Sequence, residues 1–296
     1  MNRTVGVVLI LVSGASFGAL GIFGRVAYES GVNMPTLLFL RFGSAALVLS
    51  GVMVARRAPW PRGRVLGGLV LLGALGYVGQ SLAYFSALRH ASAGLTALLL
   101  YLFPALVTLL AVVVDGERLT RVRALAVVLA LGGTALTIDL NGGASPKGIA
   151  FGVLSALVYA VYVFTSARVV GPAGPLAAST VILGSAGGVY GVLMWAQGPA
   201  WPGTQQGWLA VGALSLLSTV VAVLTFFAGL ERVGPVVASL LSTVEPLVAV
   251  LLGAFVLGER LSVLQGVGGL LILTAVVLLA RPDKARLPGP SRTGKG

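Results

Sequence analysis

Phe226–Leu261 reads FFAGLERVGPVVASLLSTVEPLVAVLLGAFVLGERL, and Tyr84–Leu119 reads YFSALRHASAGLTALLLYLFPALVTLLAVVVDGERL. A shift of 142 positions lays one on the other without a gap. Phe85 falls on Phe227, Leu88 on Leu230, Leu98-Leu99 on Leu240-Leu241 and Pro104 on Pro246. Gly116-Glu117-Arg118-Leu119 falls on Gly258-Glu259-Arg260-Leu261. The same register carries Gly6 onto Gly148, Ser13 onto Ser155 and Phe17 onto Tyr159, so it holds across each half. The chain is an internal duplication of roughly 140 residues, and its fold is whatever that unit forms when used twice.

Composition decides the class of the unit. Apolar residues make up 57% of the 296 residues and charged residues 9%, and the mean hydropathy is +1.01. A water-soluble domain carries about a quarter charged residues, so this surface is suited to lipid. Runs near the ~20 apolar residues that cross a bilayer recur at 4–24, 35–55, 65–88, 91–114 and 122–138. They recur again at 148–168, 177–196, 207–230, 235–257 and 263–280. The first run follows Arg3 as a signal peptide would, but it is too long for an h-region, and its counterpart lies mid-chain. The expected fold is an all-α polytopic membrane protein of ten transmembrane helices. Residues 1–138 form one five-helix repeat and 148–280 the other. Residues 139–147 are a linker rich in Gly, Asn and Pro, and 281–296 a basic tail expected to be disordered.

Five is odd, so the two copies must enter the membrane in opposite senses, as inverted repeats. Charge gives an independent test. Arg56, Arg57, Arg62 and Arg64 lie in or beside the loop 55–64, whereas the equivalent loop 197–206 has no Lys or Arg. Arg118, Arg121 and Arg123 follow the fourth span, whereas Arg260 alone follows the ninth. Such asymmetry is expected if equivalent loops face opposite sides. With both termini cytoplasmic, only Arg25, Arg41, Arg89, Lys147 and Arg260 fall at or toward the outside. Trp60, Trp195, Trp201 and Trp208 sit at span ends, where amphipathic rings favour the interface.

Several chemistries are excluded. The chain has no Cys, hence no disulfide, thiolate nucleophile or Cys-ligated zinc. Its single His, His90 at the outer end of the third span, leaves no multi-His metal site and little material for a Ser-His-Asp triad. The net charge of +12 lies in short loops and the tail, as membrane insertion requires, and does not mark a nucleic-acid partner. No cofactor is expected.

Polar groups at mid-span need a partner or a wet cavity. Glu245, directly before Pro246, lies near the centre of the ninth span, whereas the other carboxylates lie in loops, at span ends or in the tail. It reads as a proton-coupling site or a partner for a substrate ammonium. Alternatively it is a protonated acid bonded to a carbonyl freed by Pro246. Tyr77, Gln80 and Tyr84 share one face of the third span at i, i+3, i+7, and Tyr159, Tyr162 and Ser166 repeat the spacing on the sixth. Tyr101 lies mid-span on the fourth, and Ser242 and Thr243 precede Glu245 on the ninth. Together they suit the wall of a cavity for a partly apolar solute; interhelical hydrogen bonding is the plainer reading. Pro104 and Pro246 interrupt helices at matching places, a pointer to a transporter's central site. Gly116 and Gly258 are expected to end helices at positive φ, with the Glu and Arg of each motif structural. Gly73, Gly76, Gly79, Gly266 and Gly269 are expected at close helix–helix contacts.

These residues carry a resemblance. Two five-helix halves, each with a Pro-containing fourth helix, a Gly-Glu-Arg-Leu turn and a closing helix, resemble the EamA family of the drug/metabolite transporter superfamily. Within it the chain is most similar to exporters of aromatic and other amino acids. Phe103 stands where the second copy has Glu245, so proton coupling would be one-sided. The resemblance implies a central cavity lined by the first, third, fourth, sixth, eighth and ninth helices, and alternating access by rocking of the halves. It implies export of an amino acid or similar small solute across a bacterial-type inner membrane, with protons as a candidate co-substrate. Tyr77, Tyr84, Tyr101, Tyr159 and Tyr162 would supply rings and hydroxyls, and Gln80, Ser242 and Glu245 would meet the zwitterionic end. Drugs, nucleobases or sugar conjugates are alternative solutes. An intramembrane lipid enzyme would need paired catalytic groups at depth, which one lone Glu does not provide.

Overall fold

A computed structural model describes residues 3–116, 119–137, 145–169, 171–226, 228–229, 232–233, 241, 244–258 and 262–279. Among them the regular structure is helical, without a strand. The first half comprises α1 (Arg3–Gly18), α2 (Leu20–Glu29), α3 (Met34–Ala55), α4 (Gly63–Leu71), α5 (Val78–Leu88), α6 (Ala93–Leu100), α7 (Phe103–Asp115) and α8 (Arg121–Thr137). The second comprises α9 (Pro146–Val169), α10 (Pro175–Gln197), α11 (Gln205–Ser215), α12 (Val244–Leu257) and α13 (Val263–Leu279). Seven continuous stretches of described helix are long and apolar enough to cross a membrane: Thr4–Glu29, Met34–Ala55, Gly63–Leu88, Ala93–Asp115, Pro146–Ser166, Pro175–Gln197 and Gln205–Phe226. The chain is a multi-pass membrane protein.

Local chemistry sets the helix ends. Asn33, Ser92, Ser145 and Thr204 each accept a backbone N–H three residues on, at 3.1 Å, satisfying donors that the first turn leaves free. Ser262 and Gln265 form a reciprocal capping box at 3.2 and 3.0 Å. Gly116 and Gly258 end their helices at φ +67° and +65°, as their motif requires. Glu117, Arg118, Glu259 and Arg260, like the tail, lie outside the described residues.

Two departures from regular helix matter for the centre. The fourth span breaks at Tyr101-Leu102, and Pro104 stands at the start of α7. Leu102 N–H turns back to the Leu99 carbonyl at 3.2 Å, a tightened turn, and Pro104 has no N–H to give to the Leu100 carbonyl. The third and eighth spans each contain a six-residue π turn, at Leu72–Tyr77 and Leu216–Val221. No sequence cue announces either one. Helix resumes after them, as α5 and at 222–226.

The duplication is visible in the packing. α3 lies along α10, its counterpart, and α8 along α13. The Ser13 hydroxyl donates to the Ala222 carbonyl at 2.7 Å, and Ser155 Oγ accepts from Gln80 Nε2 at 3.3 Å. Residues 13 and 155 are counterparts, and so are 80 and 222. A Cβ on Gly6 would strike Arg232 and Val233, and one on Gly148 would strike His90 and Ala91, again counterparts. Each half therefore lays its first helix against the other half. Gly73, Gly76, Gly79 and Gly269 do sit at close contacts, the nearest being 2.4 Å from a Gly73 Cβ to the Ile182 carbonyl. Gly266 does not: among the described residues it faces open space, and its expected packing role is corrected.

Loops gather by end. Asn33 Nδ2 donates to Gly198 O at 2.8 Å, Gly203 N to Ser30 O at 2.8 Å and Ser145 N to His90 O at 3.2 Å. From that end α3 runs 22 residues to Ala55, about 33 Å. The arginine-rich segment after Ala55 and the uncharged segment after Gln197 thus lie at opposite ends of the bundle. Trp60, Trp195, Trp201 and Trp208 are exposed.

Candidate functional site

The breaks and the π turns bring aromatic residues from four spans into one ribbon. Tyr77, at the end of the first π turn, packs on Phe42 of α3 (centroids 5.3 Å) and on Tyr162 of α9 (5.5 Å). Tyr162 stacks on Tyr159, one turn away, at 5.8 Å and 11° between planes. Tyr159 meets Phe103 edge-on at 4.7 Å, and Phe103 meets Tyr101 edge-on at 5.9 Å. The ribbon ends on a carboxylate, because Tyr101 donates its hydroxyl to Glu245 Oε2 at 2.8 Å. Edge-on and offset rings set positive rim against negative face, which orders such a ribbon beyond simple burial. It offers aromatic faces along its length and a carboxyl acceptor at one end.

Small residues let the first span approach. A Cβ on Gly18 would lie 2.7 Å from the Glu245 carbonyl, and one on Gly21 would lie 3.4 Å from the Tyr84 hydroxyl. The break between α1 and α2 thus passes directly beside the site.

At the far end of the ribbon lies a residue that sequence reasoning placed at the outside. Arg41 is in the body of α3 and 3% exposed. Its Nε–H donates to Thr219 Oγ1, in the second π turn, at 3.0 Å. Its guanidinium lies 4.8 Å from the Phe42 ring centre and 5.6 Å from that of Phe85. Tyr77, Tyr84 and Tyr190 are its polar neighbours. Among the described residues no carboxylate pairs with it. The missed signal was in the sequence: helix α3 starts at Met34, so Arg41 stands two turns inside the span.

Of the expected site residues, Tyr77, Tyr101, Tyr159, Tyr162 and Glu245 come together in the ribbon. Tyr84 is buried beside it, an electrostatic neighbour of both Arg41 and Tyr101. Gln80 does not join them; its amide is engaged with Ser155 and accepts from Ser81 at 3.3 Å. Pro104 opens α7, and Pro246 is the third residue of α12. Ser242 and Thr243 lie outside the described residues. Tyr190 and Phe42, not foreseen, stack at 5.7 Å, and Tyr190 donates to the Val78 carbonyl just past the first π turn at 2.9 Å.

Cavities open at both ends. One of about 460 Å³ is lined by Arg25, Tyr28, Glu29, Asn33, Leu88 and Arg89, beside the 30–33 loop. Another of about 440 Å³, lined by Leu9, Val52, Arg56, Leu176 and Thr225 among others, lies at the Ala55 end. The aromatic ribbon, Arg41 and Glu245 line neither cavity.

The profile of the EamA-like transporter family matches residues 4–139 and, a second time, 146–281. An uncharacterized transporter of Archaeoglobus fulgidus is 30% identical over 93% of this chain and 96% of its own length. The uncharacterized inner membrane transporter YedA of Escherichia coli K12 is 28% identical over 92% and 91%. The aromatic amino acid exporter YddG of Ancylobacter novellus is 27% identical over 71% and 72%. A protein crystal structure, 23% identical, superposes over 94% of this chain and 96% of its own with a TM-score of 0.64, a likeness of fold.

Proposed function

Because this chain belongs to the EamA-like transporter family, we propose that it exports amino acids, aromatic and bulky apolar ones among them, across the inner membrane. Two inverted five-helix repeats, ten spans with both termini cytoplasmic, alternate access to one central site. The observation that carries this reading is the ribbon Tyr77–Tyr162–Tyr159–Phe103–Tyr101 ending on Glu245. Aromatic faces suit an apolar or aromatic side chain, and a carboxylate at mid-span suits an ammonium or a transported proton. The aromatic amino acid exporter among the relatives supports the same solute class. The separation of the 55–62 and 197–204 segments supports the inverted arrangement.

The test is uptake of labelled phenylalanine, tyrosine and tryptophan into proteoliposomes, with and without a pH gradient. Saturable flux of at least one is expected. No flux under either condition overturns the substrate reading, and flux indifferent to the gradient overturns a proton role for Glu245. The chain has no Cys, so single cysteines introduced at Arg57 and Gly198 report topology directly. Labelling of both from the same side would overturn the inverted repeats.

A further inference from the structure

We propose that Arg41 is the receptor for the solute's carboxylate. The proposal rests on the transport reading above and adds to it a residue and a chemical requirement: the solute must carry an anionic group.

Burial sets the problem. A guanidinium inside a membrane span is costly and is retained where it faces a partner or a solute path. Arg41 is 3% exposed, yet no described carboxylate neutralises it. Its protein partners are a threonine hydroxyl, tyrosine hydroxyls and two ring faces, which solvate a cation without cancelling its charge. The bond to Thr219 uses Nε. It fixes the plane of the group and leaves the two terminal amino groups, the pair that grips a carboxylate side by side.

Duplication sharpens the case. Thr219 and Tyr77 are counterparts, and both belong to π turns, features that recur at functional sites. Arg41 lies against both. Its own counterpart is Leu183, buried at 3%, so the fold packs this position with an apolar side chain in the other half. A cation there is not a requirement of the architecture.

Access and complementarity agree. The cavity at the 30–33 end is lined by Tyr28 and Leu88. Phe85, one turn before Leu88, contacts Tyr28 edge-on at 6.2 Å and takes the Arg41 guanidinium over its ring. Phe85 thus stands between Arg41 and the Tyr28 that lines this vestibule. Tyr84 links it electrostatically to the Tyr101–Glu245 pair. Aromatic faces lie beside the cation, as the ring and carboxylate of an aromatic amino acid would require.

Two measurements on the full-length protein test this. The first is thermal protection in detergent by 3-phenylpropionate, which has a carboxylate and no ammonium, and by phenylethylamine, which has the converse. The second is uptake of labelled phenylalanine in proteoliposomes. Protection by 3-phenylpropionate should weaken roughly tenfold or more in Arg41→Leu, the loss expected when a charged group's hydrogen bonds are removed. Arg41→Lys, which keeps the charge and loses the fork, should retain part of it. Protection by phenylethylamine should change little in either variant. Equal protection of wild type and Arg41→Leu by 3-phenylpropionate overturns the proposal. So does a wild type that prefers 3-phenylpropanol to 3-phenylpropionate, a comparison that needs no variant to fold. Arg41-dependent protection without phenylalanine uptake would uphold the anion site and overturn the amino-acid reading; uptake indifferent to Arg41 would do the opposite.

Discussion

In the first half the second span carries Arg41, and the second half has Leu183 at that place; in the second half the ninth span carries Glu245, and the first half has Phe103. The pairs Ser13–Ala222 and Ser155–Gln80, by contrast, occupy matching places, as do the close contacts of Gly6 and Gly148. What the halves share holds helices together. Two of their differences, Arg41 and Glu245, one in each half, lie at the two ends of a ribbon of rings. Duplication supplies the scaffold twice, and the charges of the site are written into it once.

Substitutions that push one half toward the other probe this division. The largest effect is expected from Gly73→Ala. The new methyl would meet the Ile182 carbonyl at 2.4 Å, and backbone cannot yield as a side chain can. A loss of about 3 kcal/mol should appear as a collapse in yield of monodisperse protein. The counterpart Ser215 should tolerate Ala far better. Glu245→Gln comes next. It is expected to abolish accumulation driven by a pH gradient while sparing exchange of internal for external solute, read by counterflow in proteoliposomes. Unchanged accumulation would detach Glu245 from coupling.

Tyr101→Phe should give a weaker form of the same defect, since it removes one hydrogen bond to the Glu245 carboxyl, worth about 1 kcal/mol. Combined with Glu245→Gln it should add little, and a double-mutant cycle that proved additive would show the pair to be uncoupled. Tyr162→Leu installs the residue found at its counterpart, Leu20. Loss of ring contacts worth about 0.5–1.5 kcal/mol should narrow the preference for phenylalanine over leucine by several-fold in competition assays. Gly266→Ala, in open space on α13, should change thermal stability by no more than about 1 kcal/mol.

Much of the scaffold was legible because its causes are local or repeated. Hydropathy sets the spans, the shift of 142 positions reveals the unit, and Gly116, Gly258 and Pro104 act through backbone rules that need no neighbours. Depth along a span also marked Glu245 and the tyrosines. The π turns were not legible, since they arise from packing and no residue type demands them. Nor was it legible that Gln80, on one face with Tyr77 and Tyr84, would spend its amide on Ser155 and Ser81. Arg41 was misplaced for another reason. Counting loop charges put Arg41 with the outer arginines although the expected span 35–55 already enclosed it, and the depth test applied to Glu245 was not applied to it.

Because α1 rests against the eighth span, and α9 against the third, the two units are clasped and not merely adjacent. Severing the chain within 139–145 should leave fragments that each lack one wall and recover it only from the other, so co-expression should rescue what separate expression cannot. Any movement that exposes the centre first to one side and then to the other must slide these exchanged helices along their hosts. Ser13 and Ser155 are where each exchanged helix is tied to its host.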